Sequence, residues 1–151
     1  MAAPTAETGE LGRAWHLPRP IVYRAVTRLT DLGLVRVQST EPGQRGPQRS
    51  VLAVTGDGAG QTDRWLREPV PHVRDVRSAL LAKLALLARR GRDPRGLLAD
   101  QRAVFTPIEA ALQAQQVGET EFSHVLTTWR VENVRAVLRF LDAAAAQHDR
   151  P

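Results

Sequence analysis

The chain has no cysteine and a single lysine, Lys83, among its 151 residues. Without cysteine it can form neither a disulfide framework nor a thiolate metal site. The four histidines, His16, His72, His124 and His148, are scattered without the spacing of metal ligands. No grouping of serine, histidine and carboxylate residues indicates a nucleophile or an acid–base pair. We therefore expect neither an enzyme nor a protein that depends on a metal or cofactor.

Long apolar runs are also missing. No run approaches the roughly 18 apolar residues that a membrane helix requires. The first ten residues, Met1–Glu10, lack the basic start and the apolar core of a signal peptide. These absences predict a cytoplasmic protein with no membrane partner. The length suits one compact domain or two small ones.

The positive charge is concentrated in one part of the sequence. The formal net charge is +5, and nearly all the cations are arginines. Between Arg13 and Thr55 there are seven arginines and only two acidic residues, Asp31 and Glu41, whereas the rest of the chain is close to neutral. A basic face confined to one segment is typical of a module that binds a polyanion.

The same segment predicts a helix followed by a hairpin. Pro20 suits the first turn of a helix over residues 20–32, and Gly33 is the expected stop signal. The side of this helix expected to be buried carries Val22, Ala25, Val26, Leu29 and Leu32. Residues 34–40 and 48–55 read as two strands, joined by a turn-rich loop with a flexible basic tip. Ahead of the helix we expect a turn over residues 16–20 and a short helix over residues 7–15.

A glycine-rich stretch follows the second strand. Gly56, Gly58 and Gly60 lack the spacing of a dinucleotide-binding loop, and no βαβ unit surrounds them. We expect a linker there, leading into a short helix over residues 61–67. The proline-containing break at residues 68–71 predicts a domain boundary, giving domains 1–68 and 69–151.

The second domain is predicted to consist of antiparallel helices. Periodic apolar residues favour helices over residues 72–90, from Pro94 to Gln116, and from about Thr120 to Ala146. Asp93 is the expected cap of the middle helix. The predicted fold is therefore mainly α with a small β-hairpin. The helices carry more apolar surface than they need for each other, which favours a homodimer.

The first predicted helix presents polar residues on the side opposite its apolar stripe. A helix with a basic hairpin beside it is how a winged helix presents a DNA-reading element. The candidate DNA-binding residues are Arg19, Tyr23, Arg24, Thr27 and Arg28 on the helix, and Arg45, Gln48 and Arg49 on the hairpin. Arginine pairs with guanine edges, while tyrosine and threonine hold phosphates. At Arg19, free backbone amides at the helix start would also favour a phosphate. The alternatives are an ordinary solvated helix face and a loop kept soluble by its charge.

Several stretches resemble the PadR family of transcriptional regulators. They comprise residues 22–35, 45–55, 65–66 and 71–84, together with the aromatic pattern from Phe122 through Trp129 to Phe140. The resemblance implies a winged helix-turn-helix followed by a helical dimerisation domain. It also implies a dimer that binds double-stranded operator DNA, often as a repressor relieved by a small molecule. By matching position, Tyr23, Arg24 and Arg28 fall in the recognition helix and residues 45–49 in the wing.

The resemblance also implies what lies at the dimer contact and at the start of the chain. We expect the dimerisation residues to include Phe122, Leu126, Trp129 and Leu138. Family members have a first helix and a full second helix ahead of the position of Trp15. The resemblance therefore implies a shortened winged helix here.

Two other functions remain open at this point. The chain could be an interaction protein that dimerises through its helical half and no longer reads DNA. It could also be a binding module for a small apolar effector near Trp129, although tryptophans such as Trp65 and Trp129 more often anchor a core.

Overall fold

The structure is a computed structural model that describes residues 18–42, 48–118 and 120–148, except for the side chain of Arg49. The chain divides into two compact units, one ending at Trp65 and the other beginning at Leu66. The first unit contains helix α1 (Arg19–Asp31), strands β1 (Val35–Glu41) and β2 (Arg49–Val54), and helix α2 (Gly56–Trp65). The second contains α3 (Leu81–Arg89), α4 (Arg95–Gln116) and α5 (Glu121–His148). The predicted mainly α fold with one hairpin is confirmed.

Helix α1 ends where the sequence predicts. Gly33 adopts the left-handed conformation, with φ of 70°. Its amide donates to the carbonyl of Thr30, and the amide of Leu34 donates to that of Leu29, both at 2.9 Å. This pair of bonds satisfies carbonyls that the helix end would otherwise leave open. The chain is thereby turned directly into β1.

Strands β1 and β2 form an antiparallel hairpin that is less regular than expected. Val35 pairs with Val54 and Val37 with Leu52, but the register then shifts and Ser39 pairs with Val51. The extra residue in β1 is Gln38, so two residues of β1 oppose one of β2 at this point. Such a bulge increases the local twist of a strand.

The glycine-rich stretch is helical, so the predicted linker over residues 56–60 is wrong. Helix α2 begins at Gly56, five residues before the predicted start. Thr55 explains the early start, because its Oγ1 accepts a hydrogen bond from the amide of Gly58 at 3.1 Å. The carbonyl of Thr55 also accepts the amide of Ala59 at 2.9 Å. A threonine cap of this kind stabilises a first turn whose glycines would otherwise disfavour it.

The single helix predicted over residues 72–90 is replaced by three consecutive segments. A 3₁₀ turn (Val73–Asp75) leads into a π-helical turn (Val76–Leu80), and only then does α3 begin. The buried positions are Val76, Leu80, Lys83 and Leu87. Their spacing of four, three and four residues keeps the same side of the segment inward despite the change in winding.

A local cap fixes the start of α4. The Asp93 carboxylate accepts the backbone amide of Arg95 at 2.9 Å and its Nε at 2.8 Å. The N-cap residue is Pro94, which was expected in the first turn. Asp93 lies one position earlier than an N-cap, but its carboxylate still satisfies the first backbone amide of the helix. These bonds to Arg95 hold the pKa of Asp93 below its ordinary value.

Helices α4 and α5 pack antiparallel and supply most of the core of the second unit. Three cross-pairs follow the antiparallel order: Gln116 with Thr128, Glu109 with Arg135, and Arg102 with Asp142. Beneath them lie the buried side chains of Leu98, Phe105, Leu112, Val131, Val134, Leu138 and Leu141. In contrast, no apolar side chain is fully buried among the described residues of the first unit.

The segment that the sequence predicts as a boundary is attached to the helical unit. The Gln101 amide pairs with the backbone of Val70, accepting its N–H at 2.7 Å and donating to its carbonyl at 2.8 Å. Lys83 donates from Nζ to the carbonyl of Glu68 at 2.5 Å. Both side chains are buried polar groups whose hydrogen bonds offset the loss of water. Residues 68–70 are therefore part of the second unit.

Candidate nucleic-acid interface

The polar side of α1 is open to solvent. Arg19, Tyr23, Arg24, Thr27 and Arg28 are all exposed, with Tyr23 at 71%. Arg24 and Arg28 are one turn apart, on the same side of the helix. From Arg19 to Arg28 the helix rises roughly 14 Å, which is comparable to the width of the major groove of DNA, about 12 Å.

The arginines of this helix are free to pair with an external anion. None of Arg19, Arg24 and Arg28 forms an ion pair with any residue in the described ranges. Arg36 on β1 is likewise exposed and adds a cation that the candidate set does not include. Its only signal in the sequence is its place among the seven arginines of the basic segment.

Thr27 offers a more restricted chemistry than expected. Its hydroxyl donates to the carbonyl of Tyr23 at 3.1 Å. With its hydrogen engaged, the oxygen can accept but not donate, so Thr27 cannot hold a phosphate in this rotamer. It could instead accept from a base amino group.

The start of α1 has fewer free backbone amides than the sequence led us to expect. Pro20 has no N–H, and the amides of Ile21 and Val22 both bond to the carbonyl of Pro18, at 2.9 and 3.4 Å. Only the amide of Arg19 is left in the first turn. The helix terminus alone is therefore a weak phosphate site, and the guanidinium of Arg19 would have to make that contact.

The apolar side of α1 is not buried, so that prediction is wrong. Val22 is 42% exposed, Leu29 39% and Leu32 59%, Ala25 is exposed, and only Val26 is half-buried. Helix α1 packs against β1, and this contact leaves most of its apolar side exposed. The expected helix over residues 7–15, the first two residues of the turn expected over residues 16–20, and the implied shortening of the winged helix lie outside the described residues. Of the rest of that turn, only Pro18 precedes the helix, because Arg19 and Pro20 are the first two residues of α1.

The hairpin contributes one described candidate. Gln48, just before β2, is exposed. The loop tip with Arg45 lies outside the described residues, as does the side chain of Arg49. Of the eight candidates, the structure therefore brings six into the α1–hairpin unit as described side chains.

The expected dimerisation residues separate into two groups. Phe122, Leu126 and Trp129 are exposed on α5, at 75%, 45% and 63%. Leu138 is 8% exposed and packs inside its own unit, so it is not available to a second chain. We call the exposed apolar residues of α5 the exposed stripe: Phe122, Val125, Leu126, Trp129 and Phe140.

The described part of the chain shows neither a metal site nor a membrane-spanning helix. No group of three or more histidine or acidic residues there is placed to hold a metal ion. None of its helices has the length and apolar character needed to cross a membrane.

Comparisons with known proteins give a distant structural similarity. No family model matches the sequence, and no curated protein matches it. Among solved structures, the chain is similar to Bacillus subtilis PadR in complex with operator DNA. The two share 19% sequence identity over 93% of this chain and 84% of that chain, with a TM-score of 0.40.

Proposed function

We propose that this chain is a sequence-specific DNA-binding transcriptional regulator of the PadR type, acting as a dimeric repressor that responds to a small molecule. The observation that carries the proposal is the open polar side of α1. It presents three arginines with no ion-pair partner among the described residues, in the same unit as a basic hairpin. Unpaired guanidinium groups on a convex helix face are suited to a polyanion whose groove admits a helix.

Within this proposal the residues of α1 divide by role. Arg24 and Arg28 read base edges, because a guanidinium can bond the two acceptors of guanine at once. Thr27 accepts from the amino group of cytosine or adenine, which its engaged hydroxyl hydrogen still permits. Tyr23 and Arg19 hold phosphates on either side and fix the register without reading sequence.

The hairpin supplies contacts that do not depend on sequence. Gln48, Arg45 and Arg49 would follow the backbone or enter a narrow minor groove beside the helix. Arg36, exposed on β1, adds a further positive charge to the same unit. These groups raise the affinity for any duplex and make it depend on salt.

The dimer is proposed to form through the exposed stripe. Along α5 the residues Phe122, Leu126, Trp129, Asn133, Ala136 and Phe140 alternate spacings of four and three residues. That spacing is the repeat of a helix that packs along a second helix. A two-fold dimer would present two copies of α1 to the half-sites of a palindromic operator. As a DNA-binding regulator, the chain is proposed to act in the cytoplasm.

Selection from a random duplex library, followed by gel shifts across a salt series, tests this function. We expect enrichment of a pseudo-palindrome whose half-sites are about one helical turn apart. We also expect the logarithm of the binding constant to fall linearly with that of the salt concentration. Failure to shift any enriched duplex at low salt would contradict the proposal.

The exposed stripe favours a second candidate function, that of an interaction protein. In that case the chain is a dimer whose size is unchanged by DNA. Size-exclusion chromatography with light scattering, with and without the selected duplexes, separates the two functions. A dimer that never shifts on DNA supports the interaction protein.

A further inference from the structure

The hairpin carries hydroxyl groups that the proposed function does not use. Ser39 and Thr40 on β1 and Ser50 on β2 are exposed, and none of their side chains forms a hydrogen bond with any residue that the structure describes. In contrast, Thr27 and Thr30 on α1 each donate to the carbonyl four residues earlier, at 3.1 and 3.0 Å. The hairpin therefore offers free hydroxyl groups in the same unit as the proposed reading face.

Two hydroxyl residues of the sequence have an arginine three positions before them. The sequence Arg24-Ala-Val-Thr27 lies within α1, and the sequence Arg36-Val-Gln-Ser39 lies within β1. Basophilic protein kinases recognise a basic side chain at this distance from the acceptor hydroxyl through carboxylates of their own. Both Thr27 and Ser39 are therefore candidate acceptors of a phosphoryl group on sequence alone.

The structure separates these two acceptors. Thr27 lies in the middle of α1, and its hydroxyl hydrogen is bonded to the carbonyl of Tyr23. Transfer to Thr27 would require that bond and the helical turn around it to open, because the backbone of a helix is already engaged. Ser39 lies in an extended strand with a free hydroxyl, and the residue before it, Gln38, is left out of the strand pairing. Ser39 is therefore the accessible acceptor.

The bulge places Ser39 on the same face of the hairpin as Arg36. Residues three apart in a regular strand lie on opposite faces. Here Arg36 pairs with Ala53, whereas Ser39 pairs with Val51. Because these two partners are two residues apart on β2, they share a face. Arg36 is exposed and forms no ion pair with any described residue, so its guanidinium is available to a phosphate on Ser39.

We propose that Ser39 is a phosphorylation site through which a basophilic protein kinase weakens DNA binding. Oγ of Ser39 attacks the γ-phosphorus of ATP, the bond from that phosphorus to the β–γ bridging oxygen breaks, and ADP leaves. The hydroxyl proton passes to the catalytic aspartate of the kinase. The inference names a regulation of the proposed function and rests on it for its effect on DNA.

The charge of the hairpin gives the size of the effect. Residues 35–54 contain three arginines and one glutamate, a formal charge of +2. A phosphoserine adds about −1.5 to −2 at neutral pH, so one modification nearly cancels that charge. It also pairs with Arg36 and withdraws this cation from the DNA backbone. Because these contacts do not depend on sequence, the loss of affinity should be the same for every duplex.

Phosphate incorporation tests the site itself, without DNA. The full-length chain is incubated with ATP, Mg²⁺ and calcium/calmodulin-dependent protein kinase II, which selects arginine three residues before its acceptor, and the product is mapped by mass spectrometry. We expect the phosphate at Ser39. Ser39→Ala should abolish incorporation and Arg36→Gln should slow it at least tenfold, whereas the matched controls Thr27→Val and Arg24→Gln should leave the rate unchanged. No incorporation, incorporation at Thr27, or an unchanged rate in Arg36→Gln would overturn the site.

Duplex binding tests the regulation with a matched pair of variants. Ser39→Glu and Ser39→Gln have nearly the same shape and differ in charge. At physiological salt we expect Ser39→Glu to bind at least fivefold more weakly than the wild type, and the phosphorylated wild type at least tenfold more weakly. Ser39→Gln should stay within twofold of the wild type. Equal affinity of the phosphorylated and unmodified chains would overturn the regulation.

The two assays also distinguish this inference from the proposed function. If Ser39 is phosphorylated as expected while the unmodified chain shifts no duplex, the proposed DNA-binding function fails and the modification site stands. If the unmodified chain binds its operator but Ser39 accepts no phosphate, the regulator stands and the inference fails alone.

Discussion

The carbonyl oxygen of Leu34 occupies the space that a side chain at Gly58 would need. A Cβ atom built on Gly58 would lie 2.0 Å from that oxygen, and 2.9 Å from Cγ2 of Val54. At this contact the start of α2 packs against Leu34, which follows the end of α1. Only glycine permits it, because the obstructing atom is backbone and cannot rotate away.

Gly58→Ala should therefore destabilise the first unit by roughly 1–3 kcal/mol, the usual cost of overpacking. The matched control is Gly60→Ala in the same helix, where an added Cβ meets nothing within 4 Å. That change should be neutral or stabilise by up to about 1 kcal/mol, since alanine favours a helix over glycine. Chemical denaturation followed by circular dichroism measures both. Equal stabilities would contradict the packing described here.

Arg24→Ala and Arg28→Ala should each weaken operator binding by about 1–3 kcal/mol if the residue reads a base. Arg45→Ala should weaken binding to all sequences alike and reduce the salt slope by about one. Gel shifts on the selected operator and on a scrambled duplex measure both effects. The control is Arg139→Ala, an exposed arginine of the second unit. Affinities that match the control in all three variants would count against the proposed reading face.

Leu126→Glu and Trp129→Glu should convert the proposed dimer to a monomer, because each buries a charge in an apolar contact. The control is Val117→Glu, at a residue 89% exposed at the end of α4 and outside the exposed stripe. Sedimentation equilibrium gives the mass of each chain. A wild-type protein that is monomeric at every concentration would remove the basis for this prediction.

We expect Lys83 to make the stability of the folded chain change with pH in the alkaline range. Burial lowers the pKa of Lys83, and the nearby carboxylate of Glu68 opposes this only in part. Between the folded-state pKa and the higher unfolded-state pKa, the unfolded chain binds more protons, so stability rises with pH across that interval. The contribution is complete above the unfolded pKa and is lost as pH falls through the folded pKa.

The measurement is the free energy of unfolding from pH 7 upward, compared with Lys83→Met. Few other groups interfere, because the chain has no cysteine, no other lysine and one tyrosine, the exposed Tyr23. The free energy of unfolding of the wild type should rise with pH relative to that of Lys83→Met. Parallel curves would show that Lys83 has an ordinary pKa in the folded chain.

The features that the sequence predicted well depend on near neighbours. Gly33 ends α1, and Asp93 accepts the first backbone amide of α4, through bonds that span five residues or fewer. Such signals depend only on residues close together in the sequence, so they can be identified without knowledge of the tertiary structure. Helical periodicity placed the polar residues of α1 on one side correctly, but it also predicted a buried apolar side, which is exposed.

Two buried polar side chains that it missed depend on residues far apart in the chain. Gln101 is buried because its amide pairs with the backbone of Val70, which is 31 residues away. Lys83 is buried because it reaches the carbonyl of Glu68. A polar residue inside an apolar stripe gives no indication of its partner, so neither pairing could be expected from periodicity.

The threonine that caps α2 also closes the base of the hairpin. Thr55 donates from its hydroxyl to the carbonyl of Gly33 at 2.7 Å, and from its amide to that of Leu34 at 3.0 Å. These bonds hold the two strand ends together at the base of the hairpin. A change in the length of the loop that joins the strands therefore has little effect on the rest of the unit. Even doubling that loop would cost only about 0.6 kcal/mol of closure entropy. Insertions and deletions in this loop should therefore be tolerated without disturbing the adjacent helix.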